Sequence, residues 1–334
     1  MVTIYDIAKR CGCSPSTVSK AINNYPSIPV STRTRILDTM EQMNYILDTN
    51  AKILSTGSSK SVGILSYFAL DISPFKQPLF IEILDSFQKE MNKNKYDLVF
   101  ISRTVAGKNE SFYKNCVSRH IDGVLLFGDT HEKEMQEVIK SDLPTVGFDY
   151  YENNMTSVTS NNYQATKDLT NYLLKSGHKN IVYIHGDLSK MTKLRIKGFK
   201  DAINESGLKF NEKMLVQSDY VVNDILHTLK EIVVREERPT AIMFPDDFTA
   251  IYGMKALNSL GIRCPEDISI VGFDGIDMGQ IITPQLTTIK QNTETIGKLL
   301  ALNLIKQIDN KKKTQELFEV PASLIIGKST KQIN

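Results

Sequence analysis

The chain has 334 residues, of which 41% are hydrophobic and 23% charged, and its net charge is +2. This composition predicts a globular protein of two or three compact units. Four cysteines exclude a disulfide framework in a chain of this size, so we expect reduced thiols. No apolar run reaches the roughly 18 residues of a membrane span, and the N-terminal sequence lacks the apolar core of a secretion signal. We therefore expect a cytoplasmic protein.

The first 47 residues are predicted to form three helices. The stretch TIYDIAKRC has an N-cap at Thr3 and an apolar stripe of Ile4, Ile7, Ala8 and Cys11, and Gly12 ends it. The second helix begins at Pro15 behind a Ser14 cap, with an inward stripe of Val18, Ala21 and Ile22. The third is predicted to be capped by Ser31, with inward side chains Ile36, Leu37, Met40 and Met43.

A different composition follows in residues 48–60, DTNAKILSTGSSK. A helical piece from Asn50 to Leu54 is too short to be stable alone and leads into a Gly/Ser linker. Residues 1–60 also hold seven Lys or Arg against four Asp or Glu. This basic excess is compatible with nucleic-acid binding but does not require it.

From Ser61 onward, apolar runs of strand length alternate with amphipathic stretches of helical length. The predicted strands are SVGILSYF, YDLVFIS, IDGVLLF, PTVGF, NIVYIHG, PTAIMF and ISIVGF. Helical stretches include 161–176, 190–206 and 246–260. Continuous apolar strands alternating with helices predict parallel sheets that are buried on both faces. This segment is too long for one ordinary sheet, so we expect two α/β lobes.

Many segments resemble, in the same order, those of the lactose-repressor (LacI/GalR) family. They include TIYDIAKRCGCSPSTVSKAINN, AKILSTG, LPTVGFD and PTAIMFPDDFTAIYGMKALNSLGIRCPEDISIVGFDGID. The resemblance implies an all-α helix-turn-helix head plus an α/β two-lobed body like a periplasmic binding protein, with parallel sheets. The implied parts are a DNA-binding head at 1–47, a hinge helix and linker at 48–60, and an effector-binding and dimerisation body at 61–334. Within the body, we expect an N-subdomain of about 61–160 and 291–320 and a C-subdomain of about 161–290 and 321–334.

The second helix of a helix-turn-helix enters the major groove, where its first residues contact base edges. Here Ser16, Thr17 and Lys20 are predicted to face outward, and hydroxyl and ammonium groups can bond bases or phosphates. The predicted DNA-binding residues of the head are Ser14, Ser16, Thr17, Lys20, Asn23, Asn24, Arg33 and Tyr45. Alone, these residues also fit a plain capped surface helix, whereas the flanking helices and the resemblance favour DNA binding.

The Cys-x-Cys pair before this helix, Cys11 and Cys13, suggests a metal loop as an alternative. A structural zinc site needs four ligands, and no second pair of Cys or His lies nearby in the sequence. We expect both cysteines to be small apolar packing residues.

In the linker, the resemblance assigns three residues to DNA binding. Leu54 would insert between the central base pairs from the minor groove, Ala51 would allow close approach, and Lys52 would be a basic neighbour. Such a wedge costs a few kcal/mol of base unstacking, which contacts on bent DNA offset. The alternative is that Leu54 packs within the protein.

Candidate effector-binding residues follow predicted strands, where α/β proteins bind ligands. Asp149, Asp246 and Asp274 each follow a strand, and Arg195 lies on a helix after another. Carboxylates and a guanidinium suit the vicinal hydroxyls of a sugar; helix capping and a surface ion pair are the alternatives. The resemblance adds Gln77 and Phe80 in QPLF. The chain departs from the family pattern at Asp246, usually Asn, and at Gly327, usually Arg.

The expected function is a transcriptional regulator, and more narrowly a repressor. Its expected partners are a pseudo-palindromic operator, a small-molecule effector such as a sugar, and a second copy of the chain; we expect no membrane association. An alternative is a global catabolite regulator that uses a phosphorylated carrier protein as corepressor. An enzyme is disfavoured because GKST at 327–330 lacks the first glycine of a phosphate loop, with Ala322 in its place. We expect no cofactor and no metal. A secreted sugar receptor is disfavoured by the head.

Overall fold

A computed structural model divides the chain into two compact units, Met1–Ser59 and Lys60–Asn334. The residues that it describes are 2–46, 57–67, 77–102, 104–105, 108–109, 111–128, 133–151, 154–218 and 222–333. Within this part of the chain, no helix combines the length and the apolar character that crossing a membrane requires.

The first unit contains three helices, α1 (Ile4–Cys11), α2 (Pro15–Ile22) and α3 (Val30–Gln42). Thr3 caps α1 in a reciprocal pair with Asp6, and Gly12 ends it with φ 61, a left-handed conformation that suits glycine. The helices enclose a small core of Ile7, Ala8, Cys11, Val18, Ala21, Ile36 and Met40. Cys13 packs against this core, so both cysteines have the packing role that the sequence predicts.

Two sequence predictions for α3 are wrong. The helix begins one residue before Ser31, and its N-cap is Pro29, whose carbonyl accepts the Arg33 amide at 3.0 Å. Proline fixes the extended entry into the helix, so Ser31 falls in the first turn instead of at the cap. Leu37, predicted to face inward, is 45% exposed. Its position lies about 100° around the helix from Ile36, outside the stripe that enters the core.

The second unit is built on two six-stranded sheets. The first has the strand order β13-β7-β6-β5-β1-β2 and is entirely parallel. The second has the order β14-β12-β11-β10-β8-β9, with only β14 antiparallel. The strands of the unit, including the separate pair β3 and β4, are β1 (Ser61–Tyr67), β2 (Asp97–Phe100), β3 (Thr104–Val105), β4 (Lys108–Asn109), β5 (Gly123–Gly128), β6 (Thr145–Phe148), β7 (Thr156–Ser160), β8 (Ile181–His185), β9 (Leu215–Gln217), β10 (Ala241–Met243), β11 (Ser269–Asp274), β12 (Thr287–Lys290), β13 (Leu317–Val320) and β14 (Ser323–Ile325).

Helices cover these sheets, as the alternating sequence pattern predicts. They are α4 (Pro78–Lys93), α5 (Phe112–Ser118), α6 (Lys133–Lys140), α7 (Asn162–Lys175), α8 (Lys190–Glu205), α9 (Val222–Val233), α10 (Asp247–Ser259), α11 (Asp277–Ile281) and α12 (Thr293–Asn310). Close packing of α7 on α8 depends on Gly198, where a Cβ would collide with the Tyr163 carbonyl oxygen.

The chain passes between the two sheets three times, after β7, after β12 and after β13. The carboxyl ends of β6 in the first sheet and of β10 and β11 in the second carry the three aspartates that the sequence singles out. This arrangement places the candidate effector residues between the sheets.

Candidate functional sites

The candidate DNA-binding surface is the outer side of α2. Ser16 and Lys20 are exposed there, whereas the opposite side of the helix lies in the core of the first unit. Ser14 is the N-cap, and its Oγ accepts the Thr17 amide at 3.1 Å and lies 2.9 Å from the Thr17 hydroxyl. The helix thus uses the hydroxyls of Ser14 and Thr17 for its own first turn. Of the predicted residues within α2, Ser16 and Lys20 are the exposed ones that a binding partner can reach.

Asn23 and Asn24 end α2, as predicted, and both are exposed. The Asn23 side chain donates to the Ser19 carbonyl at 3.0 Å, which closes the last turn. Asn24 has φ 57, a left-handed conformation in which asparagine is common. Both amides lie on the surface beside Lys20, at the end of the helix opposite Ser16.

Arg33 and Tyr45 have intramolecular contacts within the head. Arg33 Nη2 donates to the Tyr25 carbonyl at 2.8 Å and so braces the segment between α2 and α3. Tyr45 is half-buried against the core. Tyr5 on α1, which is not among the predicted residues, is 71% exposed. The predicted hinge residues Ala51, Lys52 and Leu54 lie outside the described residues.

The candidate effector site is centred on Arg195, which is only 5% exposed on α8. Its Nε donates to Asn162 Oδ1 at 2.7 Å, and its Nη1 donates to the Pro245 carbonyl at 2.8 Å. The guanidinium also stacks on the Phe273 ring, 3.5 Å from its centroid. Arg195 is therefore a buried, bonded centre of the site and not part of a surface ion pair.

Three predicted aspartates surround Arg195. Asp149 follows β6 with φ 61 and accepts hydrogen bonds from Asn162 and from Thr159. Asp246 caps α10 by accepting the Thr249 amide at 2.7 Å. Asp274 ends β11 with φ 118. We call Asp149, Asn162, Arg195, Asp246 and Asp274 the Arg195 cluster.

Gln291 joins the Arg195 cluster to the crossover between the sheets. Its Nε2 donates to Asp274 Oδ1 at 2.7 Å, and its Oε1 accepts the Ser160 hydroxyl at 2.5 Å. Ser160 is the last residue of β7 in the first sheet, whereas Asp274 ends β11 in the second. This chain of two hydrogen bonds links the ends of the two sheets at the site.

The electrostatics of the Arg195 cluster are dominated by burial. Burial raises the pKa of Asp149, and Arg195 is among the groups that oppose the shift. Burial likewise raises the pKa of Asp246. The pKa of Asp274 lies well above its usual range because of burial and, next, the negative charges of Asp246 and Asp247. The cluster is therefore short of positive charge.

Phe80, on α4, lies at the edge of the first sheet formed by the carboxyl ends of its strands. Its ring packs edge-on against Phe127 and Phe148, with centroids 5.4 Å and 6.1 Å away. Phe127 and Phe148 lie near the carboxyl ends of β5 and β6, and Phe148 directly precedes Asp149. Gln77 is the N-cap of α4, partly exposed and without a side-chain capping bond.

Three residues in and around the site, Asn162, Gln291 and Asp247, are not among the residues predicted from the sequence. Asn162 follows the polar strand β7 and is fully buried. A cluster of polar residues after a strand, SNNYQ, is the signal that could have pointed to it. Asp247 is also fully buried; it accepts the amides of Gly275 and Ile276 at 2.8 Å and 2.9 Å. It holds the loop that follows Asp274.

The pKa of Asp247 is raised to about 7, above its ordinary value of 3.8, chiefly by burial. A raised carboxyl pKa stabilises the fold most below pH 4, and this contribution is lost as pH rises towards 7. Asp247→Asn retains an acceptor for the two amides and has no charge to bury. Between pH 5 and pH 8, we expect wild type to lose on the order of 2 kcal/mol of unfolding free energy relative to Asp247→Asn.

Urea unfolding of both proteins at the two pH values measures this difference. The comparison cancels the raised carboxyl groups that do not interact with Asp247, whereas the pKa of Asp274 falls along with the loss of the Asp247 charge. A difference in unfolding free energy that is independent of pH would contradict the prediction.

Two family profiles match this chain. The first, described as bacterial regulatory proteins of the lacI family, matches residues 3–48, and the second, a periplasmic binding protein-like domain, matches residues 170–330. The HTH-type transcriptional repressor PurR of Histophilus somni is 29% identical over 343 residues and covers 100% of both chains. Catabolite control protein A of Priestia megaterium is 28% identical over 337 residues and covers 99% of each.

Among solved structures, the lac repressor dimer bound to operator and the anti-inducer ONPF has the same fold. The TM-score is 0.80 at 22% identity, with 99% of each chain covered. The head profile covers α1 to α3, and the body profile begins within α7 and covers α8 and the strands β8, β10 and β11. The chain therefore combines a helix-turn-helix head of the lacI family of bacterial regulatory proteins with a periplasmic-binding-protein-like body.

Proposed function

We propose that this protein is a sequence-specific DNA-binding transcriptional regulator that acts as a repressor and responds to a small-molecule effector. The observation that carries the proposal is the head: a compact LacI-type unit whose second helix exposes Ser16 and Lys20. Relatives named repressors along the whole chain support the same function. The protein works as a homodimer in the cytoplasm, on a pseudo-palindromic operator, and it has no catalytic role.

The effector binds at the Arg195 cluster. Carboxylates and a guanidinium at the carboxyl ends of parallel strands suit a ligand with several hydroxyl groups, and aromatic side chains lie beside them. This supports a sugar or sugar derivative as the ligand. Binding there alters the Gln291 link between the sheets and so the relative position of the two subdomains, 61–160 with 291–320 and 161–290 with 321–334.

Linkage makes the response reciprocal: an effector that weakens operator binding is itself bound less tightly by the operator-bound protein. The hinge at 48–60 transmits the change, with Leu54 as the wedge between base pairs and Ala51 and Lys52 beside it.

A second candidate function is that of a global catabolite regulator with a phosphorylated carrier protein as corepressor. The full-length likeness to catabolite control protein A favours it. If adding such a phosphorylated carrier protein increases operator affinity, the catabolite-regulator function is favoured over control by a small-molecule effector.

Selection of operators from a random DNA pool tests the proposed function. We expect an inverted repeat, and we expect Lys20→Ala to weaken binding to it by about 10–100-fold, because a base or phosphate contact is lost. The matched control is Lys175→Ala at the exposed end of α7, which should bind the operator like wild type. Recovery of no preferred sequence would refute the function, and equal behaviour of both variants would remove Lys20 from the DNA-binding surface.

A further inference from the structure

The contacts of Arg195 place it next to three carboxylates. Asn162, which accepts from its Nε, also donates to Asp149 at 3.4 Å. Pro245, which accepts from its Nη1, directly precedes Asp246. Phe273, on which the guanidinium stacks, directly precedes Asp274. Among the residues that the structure describes, one cation thus stands among three acidic side chains, apart from the fully buried Asp247.

The carboxylates are open to a ligand, whereas the cation is largely withdrawn. All three aspartates are partly exposed, but Arg195 is 5% exposed. In each aspartate, the hydrogen bonds from described residues go to Oδ1, and Oδ2 accepts none. Arg195 has committed Nε to Asn162 and Nη1 to Pro245, and its guanidinium also interacts with the buried Tyr183 side chain, so Nη2 is its remaining group for a ligand. The site therefore offers one carboxyl oxygen on each of three aspartates and a single guanidinium among the described residues.

The two neighbouring lysines do not compensate the negative charge of the three aspartates. Lys190 Nζ donates to the Tyr151 carbonyl at 3.1 Å and lies over the Tyr151 ring. Lys290 is the register partner of Asp274, but it is exposed, and within the described ranges no ion pair joins the two. A ligand anion would meet three carboxylates with little cationic compensation, whereas a ligand cation would relieve their mutual repulsion.

We propose that the effector is a hydroxylated small molecule without negative charge, and that an ammonium group in place of one of its hydroxyls strengthens binding. This inference rests on the proposed effector role of the Arg195 cluster. A ligand hydroxyl accepts from Arg195 Nη2, and ligand O–H or N–H groups donate to the Oδ2 atoms of Asp149, Asp246 and Asp274. A charge-assisted N–H bond to a carboxylate is stronger than its neutral counterpart. Phosphorylated or carboxylated sugars are excluded from the site.

Matched ligand sets test the charge rule on the full-length protein. Each set holds a sugar, its amino derivative, its uronic acid and its phosphate, on pentose, hexose and disaccharide skeletons, and binding is measured by thermal shift and calorimetric titration. On at least one skeleton, we expect the amino derivative to bind at least tenfold more tightly than the parent, and we expect no binding of any acid or phosphate. A phosphate or acid that binds, a parent that binds as tightly as its amine, or no binding by any set would overturn the proposal.

Asp246→Asn separates charge from shape, since asparagine also caps helices. We expect it to reduce the preference for the amine about tenfold, whereas Asp168→Asn, at an exposed position of α7, should leave the preference unchanged. An unchanged preference in Asp246→Asn would overturn the assignment. Operator selection with the ligand-free wild type is the separate readout: an operator found beside a failed charge rule refutes only this inference.

Discussion

Replacing Arg195 by Met is expected to lower the unfolding free energy of the second unit by about 2–4 kcal/mol and to abolish effector binding. Arg195 is 5% exposed, and its guanidinium donates at 2.7 Å and 2.8 Å to two acceptors. Methionine fills much of the volume but donates nothing. Asn162 Oδ1 and the Pro245 carbonyl then remain buried and lose these bonds, and the aspartates lose their compensating cation.

A surface arginine provides the matched control. Arg263 pairs with Asp267 at 2.9 Å, and its side chain is 68% exposed. Solvent screens such a pair, so Arg263→Met should cost no more than about 1 kcal/mol and should leave ligand binding intact. Calorimetric unfolding and ligand titration of the two variants provide the comparison. Equal stability and equal ligand affinity of the two would show that Arg195 does not organise the site.

Arg195→Lys tests whether charge alone is sufficient. Lysine keeps the positive charge but cannot direct two N–H groups at Asn162 and Pro245 while stacking on Phe273. We expect ligand affinity to fall by about 10–100-fold, as for the loss of one hydrogen bond to a charged group. Wild-type affinity in Arg195→Lys would mean that the ligand responds to charge and not to this geometry.

A strand can be predicted from the sequence where its buried residues are apolar. Where the buried residues are polar, the sequence does not indicate the strand. Val124 and Leu125 in β5 belong to a continuous apolar run, which predicts a strand with two buried faces. In contrast, β7 reads TSVTS, yet all five residues are buried. Their hydroxyls find partners such as the Gly147 carbonyl for Ser157 and the Thr314 hydroxyl for Thr156. A local sequence pattern cannot predict these partners, because they lie 10 and 158 positions away in the chain.

The residues of the candidate effector site likewise fall into those that can and those that cannot be predicted from the sequence. Asp149, Asp246 and Asp274 could be predicted because each follows a strand, and the carboxyl ends of parallel strands share one edge. Gln291 could not, because its role depends on Ser160, 131 positions away. In the pair Asp246–Asp247, sequence alone cannot tell which carboxylate faces the ligand: one caps α10 at the site, and the other is fully buried under the Gly275 loop.

Ile36→Ala is expected to abolish operator binding while leaving the effector site intact. Ile36 is fully buried in the small core of the head, and truncation of a buried isoleucine costs about 2–5 kcal/mol. A unit of this size has little stability to lose. The head therefore unfolds for much of the time, and operator affinity falls at least about 100-fold once the loss exceeds the stability of the head by roughly 3 kcal/mol.

The adjacent residue supplies the control, because Leu37 is on the same helix but is 45% exposed. Leu37→Ala should cost well under about 1 kcal/mol and should bind the operator like wild type, unless the side chain itself contacts DNA. Fluorescence anisotropy with a labelled operator measures DNA binding, and calorimetry follows unfolding of the second unit, which should be identical in both variants. The contrast between the two neighbours separates loss of the head fold from any general effect of truncating an aliphatic side chain. If Ile36→Ala binds the operator as tightly as Leu37→Ala, the core that encloses α2 does not position the DNA-binding surface.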